Sequence, residues 1–511
     1  MAKTLKYKIA KSIGKLTYKG LKYLPTGGKA YPGYMYLKIN GVDNLNTLVN
    51  DQIKIGSILI TGTNGKTTTT TMIIDLFSRD FNITKSVDNN TIYALTTALL
   101  SKSADIGIFE YGIRDIKHGQ PHIVQKQVQP MCVVYTNISR EHTQVLGVKN
   151  SFKDYIKAKT LLSKDMQEGI VIVNADDPNT TYIDNNKEDN CTVIYYGFDV
   201  DNISDKSIGE VLCPNCDKPL TYTHNFMNQR GIYECDCGFK RPEPDIKVTH
   251  IDITDTQMNI TIEGNVYNVN TQSKIPINVD LTLPPFGIYN IYNVLASATT
   301  YACYSETPDE INEKLASYYN NLTFNILPPG RFEIIDYQNK KVGLGQGDNG
   351  DALNANANLF LQEIKSKPYE FIYSTPDVNE EEIFKDHLEV IKNHNPDFIT
   401  VIPGRVSVDI ARNYYEQMKK EGLNCTFYPI EYDFEKRINE IIKLTQKSEY
   451  NVLITGCGEE QAVWDDVKNK LKKWFIKKNK EEKSSISKGD YLHIIFFLIF
   501  HLKKISLLFF N

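Results

Sequence analysis

The chain has 511 residues and a mass of 58.3 kDa, too long for one hydrophobic core, so its length predicts about three domains. Hydrophobic residues make up 41% and charged residues 23%, which excludes a disordered chain, and 30 Gly with 20 Pro exclude a collagen-like one. The formal charge is −4, from 58 basic and 62 acidic residues, so no net basic field recruits nucleic acid by counterion release.

The first 24 residues are basic but lack a continuous apolar core and a small-residue cleavage site, so no signal peptide is expected. Residues 1–50 are read as an N-terminal segment of a multidomain cytoplasmic enzyme. An odd cysteine count, nine, argues against a disulfide framework. Cys132, Cys191, Cys303, Cys425 and Cys457 stand alone in apolar surroundings and read as buried structural thiols.

From Gly56 onward, short apolar runs alternate with helical patterns, the signature of βα units on a parallel sheet. The predicted strands are 57–60, 106–109, 132–135, 170–173 and 193–196. Open α/β sheets bind ligands beyond the carboxyl ends of their strands. Here those ends carry Thr61-Gly62, Glu110, Thr136-Asn137 and Asn174. The first strand runs into Thr61-Gly62-Thr63-Asn64-Gly65-Lys66-Thr67-Thr68. A glycine-containing loop that opens a helix points backbone N–H groups and the helix N-terminus at a phosphate chain. Lys66 is expected to neutralise the terminal phosphates and the Thr67 hydroxyl to ligate Mg²⁺. The general phosphate-loop pattern has a glycine at position 60, where this chain has Ile60.

Thr-Gly-Thr-Asn-Gly-Lys-Thr-Thr resembles the ATP loop of the Mur ligase superfamily, whose members join amines to carboxylates through acyl phosphates. The resemblance continues in order. Phe109-Glu110-Tyr111-Gly112 resembles the strand-end glutamate that ligates Mg²⁺, and Thr136-Asn137-Ile138-Ser139-Arg140-Glu141-His142 the element whose histidine binds a second Mg²⁺. Tyr155 to Leu162 resembles the segment whose lysine, matching Lys159, is carbamylated. Asn174-Ala-Asp176-Asp177-Pro178 resembles the element that follows. These types suit the chemistry, because an anionic carboxylate must approach an anionic γ-phosphate and cations screen the two. Lys159 is expected to lie apart from the phosphate loop. Further on, Gly287 to Asn293 resembles a helix start whose Asn290 and Asn293 touch the nucleotide base. Gly330-Arg331-Phe332-Glu333 resembles a hinge whose Arg331 reaches ATP, and Asp348 lies where the family has a further nucleotide-site loop.

The parallel pattern breaks near Asp201. Cys213-Pro-Asn-Cys216 and Cys235-Asp-Cys237 are two close pairs about twenty residues apart, four thiolates able to close a tetrahedral Zn²⁺ site. The flanking residues resemble the zinc ribbon of the MurT branch, although the second pair is C-x-C instead of C-x-x-C. The branch also shares a short N-terminal segment, with Gly27-Gly28 to Pro32-Gly33 as a degenerate form of its glycine-rich stretch. Residues 249–283 alternate like antiparallel strands, and 289–301 reads as a helix. After Pro328-Pro329-Gly330, a hinge composition, a second α/β series is predicted, with strands at 342–344, 371–373, 398–402, 425–428 and 452–454. Residues 468–483 are lysine-rich, and the apolar run that follows from Tyr491 is too short to span a bilayer, so it reads as an appendage with at most peripheral membrane contact.

The expected fold is α/β. It comprises a P-loop Mur-ligase central domain over 51–328 with a zinc ribbon at 211–240, a Rossmann-like C-terminal domain over 329–476, and a tail over 477–511. The expected activity is an ATP-dependent, ADP-forming amide ligase of cell-wall precursor peptides, of peptidoglycan or of pseudomurein, using ATP, Mg²⁺ and Zn²⁺. Its substrates would be a nucleotide- or lipid-linked peptide and an amino acid or ammonia. The ribbon favours an amidating subunit of the MurT type, which needs a glutaminase partner. Thr136–His142 and Lys159 instead look like stand-alone ligases of the MurE and MurF kind. Residues 374–380 lie where MurT carries the aspartate that completes the glutaminase triad, but the neighbouring Asp-x-Ser-Trp signature is missing. A nucleotide-gated binding module without ligase chemistry is the alternative of another class.

Overall fold

The computed structural model describes residues 4–21, 29–140, 144–145, 148–149, 152–183, 191–204, 210–254, 256–327, 332–337, 339–365, 368–378, 380–457 and 462–473. The strands in chain order are β1 (Ile53–Thr61), β2 (Ile83–Ser86), β3 (Ala104–Glu110), β4 (Cys132–Tyr135), β5 (Gln144–Val145), β6 (Val148–Lys149), β7 (Ile170–Asn174), β8 (Thr192–Phe198), β9 (Thr221–Met227), β10 (Arg230–Glu234), β11 (Ile246–Ile253), β12 (Met258–Asn268), β13 (Ser273–Leu283), β14 (Glu333–Tyr337), β15 (Lys340–Leu344), β16 (Tyr369–Ser374), β17 (Phe398–Ile402), β18 (Cys425–Phe427) and β19 (Asn451–Gly456).

Two compact units make up the chain. The first is Met1–Pro328 together with Asp348–Ala355 and Asn379–Asn393. Its nine-stranded sheet runs β13-β12-β11-β8-β7-β4-β1-β3-β2. Pairing is parallel from β2 through β11 and antiparallel across β11, β12 and β13. The central strands read as unbroken apolar runs because both faces are covered: Cys132–Tyr135 and Ile170–Asn174 are buried at every position. β13 has one solvent face, and its burial alternates residue by residue from Ile275 to Leu283.

The pleat divides the core in two. Ile58 and Ile60 point to a cluster with helices Lys66–Phe77, Tyr289–Tyr304 and Ile311–Tyr319. Leu59 and Phe109 point the other way, to a cluster completed by the N-terminal helices Leu5–Leu21, Tyr31–Asn40 and Leu45–Gln52. The N-terminal segment thus supplies part of the layer on one face of the sheet. The chain leaves β1 to make β2 and then β3 on one side, and crosses to make β4 on the other. Its β1 end is therefore the switch point of the sheet, where α/β folds hold ligands.

The second unit is Pro329–Gly347, Asn356–Val378 and His394–Asn511. Its six-stranded sheet runs β14-β15-β19-β16-β17-β18, parallel except for the β14–β15 pair. The apolar core includes Val342, Ile372, Ile402, Ile454 and Trp464. Among the described residues no helix is long and apolar enough to cross a membrane. The tail from 477 lies outside them.

Candidate active site

Strand register builds the site. Ile60 pairs with Glu110 and Thr61 with Tyr135, so Glu110 and Thr136 arrive on either side of the loop that follows β1. Gly65 closes the loop at φ 81° and caps helix Lys66–Phe77; a Cβ there would strike the Asn293 carboxamide. A Cβ on Gly62 would strike the Thr136 hydroxyl. The loop is clamped from β4. Asn137 accepts from the backbone N–H of Thr63 at 2.8 Å through its carbonyl, and from that of Asn64 at 3.0 Å through its side chain. The Asn64 carbonyl accepts from the Thr136 hydroxyl at 2.6 Å and the Asn137 amide at 2.8 Å. Thr63 donates its hydroxyl to the Ser139 carbonyl at 3.0 Å. Such a clamp occupies the Thr63 and Asn64 N–H groups and fixes the loop in advance, leaving the Gly65 N–H and the helix N-terminus to meet a phosphate without reorganisation cost.

Glu110 is only 3% exposed. Its Oε2 accepts from the Thr67 hydroxyl and from the Asp88 backbone N–H, each at 3.0 Å. A hydroxyl and a carboxylate side by side at the first turn of the phosphate helix form the hard-oxygen donor set that suits Mg²⁺. Lys66 lies in the same turn and donates to the Thr63 carbonyl at 2.6 Å. Asn293 accepts from Thr69 at 3.1 Å and donates to Asn290 at 2.8 Å, so both asparagines sit beneath the loop.

The expectation that Lys159 lies apart from the loop is wrong. Helix Phe152–Thr160 runs under the loop, and the buried Lys159 ammonium donates to the Gly62 carbonyl at 2.9 Å and lies 4.6 Å from the Tyr155 ring centroid. The contact joins residues 97 apart in sequence, beyond the reach of any local pattern.

Beyond β7, the Asp176-Asp177 turn carries a buried ionic network. Asp176 accepts from Arg241 at 2.8 Å, Tyr292 at 2.9 Å and the Phe198 backbone at 2.8 Å. Asp177 accepts from the backbones of Ile138 at 2.7 Å and Asn179 at 2.9 Å. Burial pushes Asp177 up to about 6, against the pull of Arg230. The β9–β10 hairpin of the cysteine module is bolted to this turn: Gly231 donates to the Asp176 carbonyl at 2.9 Å and Gln229 to the Ile138 carbonyl at 2.7 Å.

In that module the sulfurs of Cys213, Cys216, Cys235 and Cys237 lie within 4.8 Å of one another. Cys213 and Cys237 are 3.7 Å apart, and Cys216 and Cys235 3.5 Å. A tetrahedron with bonds of about 2.3 Å has edges of about 3.8 Å, so the four fit Zn²⁺. The short C-x-C pair reaches the site because Gly238 turns at φ 88° and Cys235 donates its N–H to the Phe239 carbonyl at 2.8 Å.

A cavity of about 430 Å³ opens beside Ser139 and Arg140, within the first unit. The ribbon forms one wall through Cys213, Asp217 and Gln229. Five carboxylates line it, Glu210, Asp217, Asp351, Asp386 and Glu389, against the cations Arg140 and Lys153. Arg140 pairs with Asp386 at 3.1 Å, and burial still pushes Asp386 up to about 6. The buried Ser139 hydroxyl has no hydrogen-bond partner among the described residues.

A Mur ligase middle domain is recognised over residues 60–213. The lipid II isoglutaminyl synthase (glutamine-hydrolyzing) subunit MurT of Staphylococcus aureus is 25% identical over 362 residues, 70% of this chain and 75% of that protein. A pseudomurein peptide ligase type C from Methanothermus fervidus superposes with a TM-score of 0.60 at 25% identity, covering 82% of this chain and 79% of that one. The chain carries a Mur ligase middle domain. Over most of its length the chain is MurT-like, and it is a ligase that forms carbon–nitrogen bonds. The MurF ligase of Thermotoga maritima, solved in complex with ADP, shares the fold at 16% identity, with a TM-score of 0.54 and coverage of 86% and 85%.

Of the residues expected in a Mur ligase site, the structure brings together Thr63, Asn64, Gly65, Lys66, Thr67, Glu110, Lys159, Asn290 and Asn293 around one loop. Thr68 lies buried in the first turn of the helix that follows. Asp348 is half-buried and precedes Asn349, whose side chain bonds Asn64 at 3.2 Å. His142 and Arg331 lie outside the described residues. The clamping role of Asn137, the ribbon's anchorage and the acidic cavity were not foreseen from sequence; Thr136-Asn137-Ile138 was the one local signal for the first.

Proposed function

We propose that this Mur ligase is an ATP-dependent, ADP-forming enzyme that activates a carboxylate of a cell-wall precursor peptide and joins it to an amino acid. The observation that carries the reading is the pairing of Thr67 with Glu110 in the first turn of a clamped phosphate loop. With Mg²⁺ bound by Thr67 and Glu110, and by His142, the metal would screen the γ-phosphate from the incoming carboxylate. Lys66 stabilises charge on the transferring phosphoryl group as the carboxylate oxygen attacks. The Gly65 N–H and the N-terminus of the helix that starts at Lys66 orient the phosphate chain, and Asn290 and Asn293 support the loop from below. Thr68 and Asp348 complete the nucleotide contacts in this reading. ADP leaves as the acyl phosphate forms. The amine then attacks the acyl carbon, the C–N bond forms as the C–O bond to phosphate breaks, inorganic phosphate leaves, and the amine proton passes to solvent or a nearby carboxylate. Carbamylation of Lys159 by carbon dioxide would convert its cation to an anion beside Gly62.

The cavity supports an amino acid in preference to ammonia. Its volume of about 430 Å³ is more than ten times the roughly 30 Å³ of a water-sized molecule. Asp217, Asp351 and Asp386 are paired with Lys153, Arg230 and Arg140, and the remaining Glu210 and Glu389 suit an amine with a second positive group. Glu210→Ala/Glu389→Ala is expected to raise the KM for such an amine by about 10-fold, the order of one charged contact, with kcat less affected. An unchanged KM across lysine, ornithine and alanine would remove the cavity from the reading.

The likeness to MurT supports a second reading, an amidating subunit with a glutaminase partner. Asp377, in the segment where MurT has its triad aspartate, pairs with Arg405 at 2.6 Å. Co-purification with a glutaminase, and glutamine outcompeting amino acids as nitrogen donor, would favour this second reading. A cytoplasmic location fits either.

The four cysteines support a structural Zn²⁺, one per chain. Cys213→Ser is expected to release it and to lower hydrogen-exchange protection over 211–240, while ADP affinity stays within about twofold because the phosphate loop is clamped from β4. Metal analysis of reduced protein that finds no zinc would end this assignment.

A further inference from the structure

The lysines of the N-terminus are unevenly placed. Residues 1–42 contain nine lysines and no acidic residue, in a chain whose formal charge is −4. Helix Leu5–Leu21 holds five of them. It buries Tyr7, Ala10 and Gly14 on one face, against the core that contains Tyr36 and Leu100. On that side Lys11 and the Tyr7 hydroxyl both bind Asp51.

The opposite face is unusual for a packed helix. Leu5, Ile9 and Leu16 are 73%, 46% and 69% exposed. At about 100° per residue these three fall within roughly 40° of one another, on the side away from the buried residues. Lys8, Lys15 and Lys19 form a row along one edge of this apolar stripe, and Lys6 lies along the other. None of these four has a carboxylate partner among the described residues. The neighbouring helix Tyr31–Asn40 adds exposed Tyr31 and Tyr34, with the Lys38 ammonium 5.8 Å from the Tyr34 ring centroid.

We propose that the outward face of helix Leu5–Leu21 is a docking surface for an anionic membrane. An apolar stripe edged by lysines matches a lipid interface, where the side chains enter the acyl boundary and the ammonium groups meet anionic headgroups. A second copy of the chain would oppose lysines to lysines on an isologous contact, which repel. Phosphate contacts of a nucleic acid would leave the stripe exposed. The surface is independent of the ligase chemistry, since no residue of the phosphate site belongs to this face.

Co-sedimentation of the full chain with vesicles tests the proposal. Binding is expected to phosphatidylcholine vesicles containing phosphatidylglycerol, to be absent with phosphatidylcholine alone, and to weaken as NaCl rises. Leu5→Gln/Ile9→Gln/Leu16→Gln and, separately, Lys6→Gln/Lys8→Gln/Lys15→Gln/Lys19→Gln should each reduce binding at least about tenfold, with melting temperature and ATP turnover unchanged. Binding retained in both variants would overturn the proposal and assign the membrane to the tail beyond 477. A wild type that ignores anionic vesicles, that dimerises through this face, or that prefers an oligonucleotide to them would overturn it as well.

Discussion

Lys66→Ala is expected to lower ADP formation by about 10³-fold or more, the scale of losing a charge that stabilises a transferring phosphoryl group. The side chain is half-buried and bonds a loop carbonyl, so its removal leaves no cavity in the core. Circular dichroism and the melting temperature should therefore match the wild type. Near-normal turnover in a folded variant would remove the nucleotide assignment, and with it the ligase reading.

Lys159→Ala is the second large effect, and the structure changes what it should show. The Gly62 carbonyl would lose a charged donor in a buried site, so loop geometry suffers along with any metal contact. A rate loss of about 10²-fold or more is expected. If the lysine acts as a carbamate, added bicarbonate raises wild-type activity, small carboxylates partly rescue the alanine variant, and Lys159→Glu keeps some turnover. If it acts as an ammonium that holds Gly62, carboxylates do nothing, nucleotide affinity falls, and Lys159→Arg is the better substitute. A carbon-13 carbamate signal after labelled bicarbonate reports directly on the first case. Wild-type rates in Lys159→Ala would exclude both roles and favour the amidating-subunit reading.

Much of this was legible in the sequence, for physical reasons that can be named. The buried strands at the centre of the first sheet were readable because unbroken apolar runs suit a sheet covered on both faces. β13 was readable because its solvent face imposes alternation. β2 was missed, since Ile83-Thr-Lys-Ser is four residues long and only Ile83 is apolar. The loop from Gly62 to Thr67 was legible because phosphate binding by backbone N–H groups demands glycine and a helix start at one fixed spacing. What surrounds it depends on contacts between distant segments. Asn137 clamps the loop only because β4 lies beside β1, and the ribbon holds the Asp176 turn because the Gly231 N–H and Arg241 both reach Asp176. The cysteine spacing predicted a knuckle pair but carried no sign that the hairpin between the pairs would wall a cavity next to Ser139.

The central claim, acyl-phosphate chemistry at the clamped loop, is tested most directly with heavy oxygen. A panel of nucleotide-linked cell-wall peptides labelled with oxygen-18 in the carboxylate is incubated with ATP, Mg²⁺ and amino acids, and the released phosphate is weighed by mass spectrometry. The account predicts one labelled oxygen in each phosphate, with release that requires both peptide and amine. Phosphate released at an equal rate without either substrate, or product amide formed while the phosphate stays unlabelled, would contradict it.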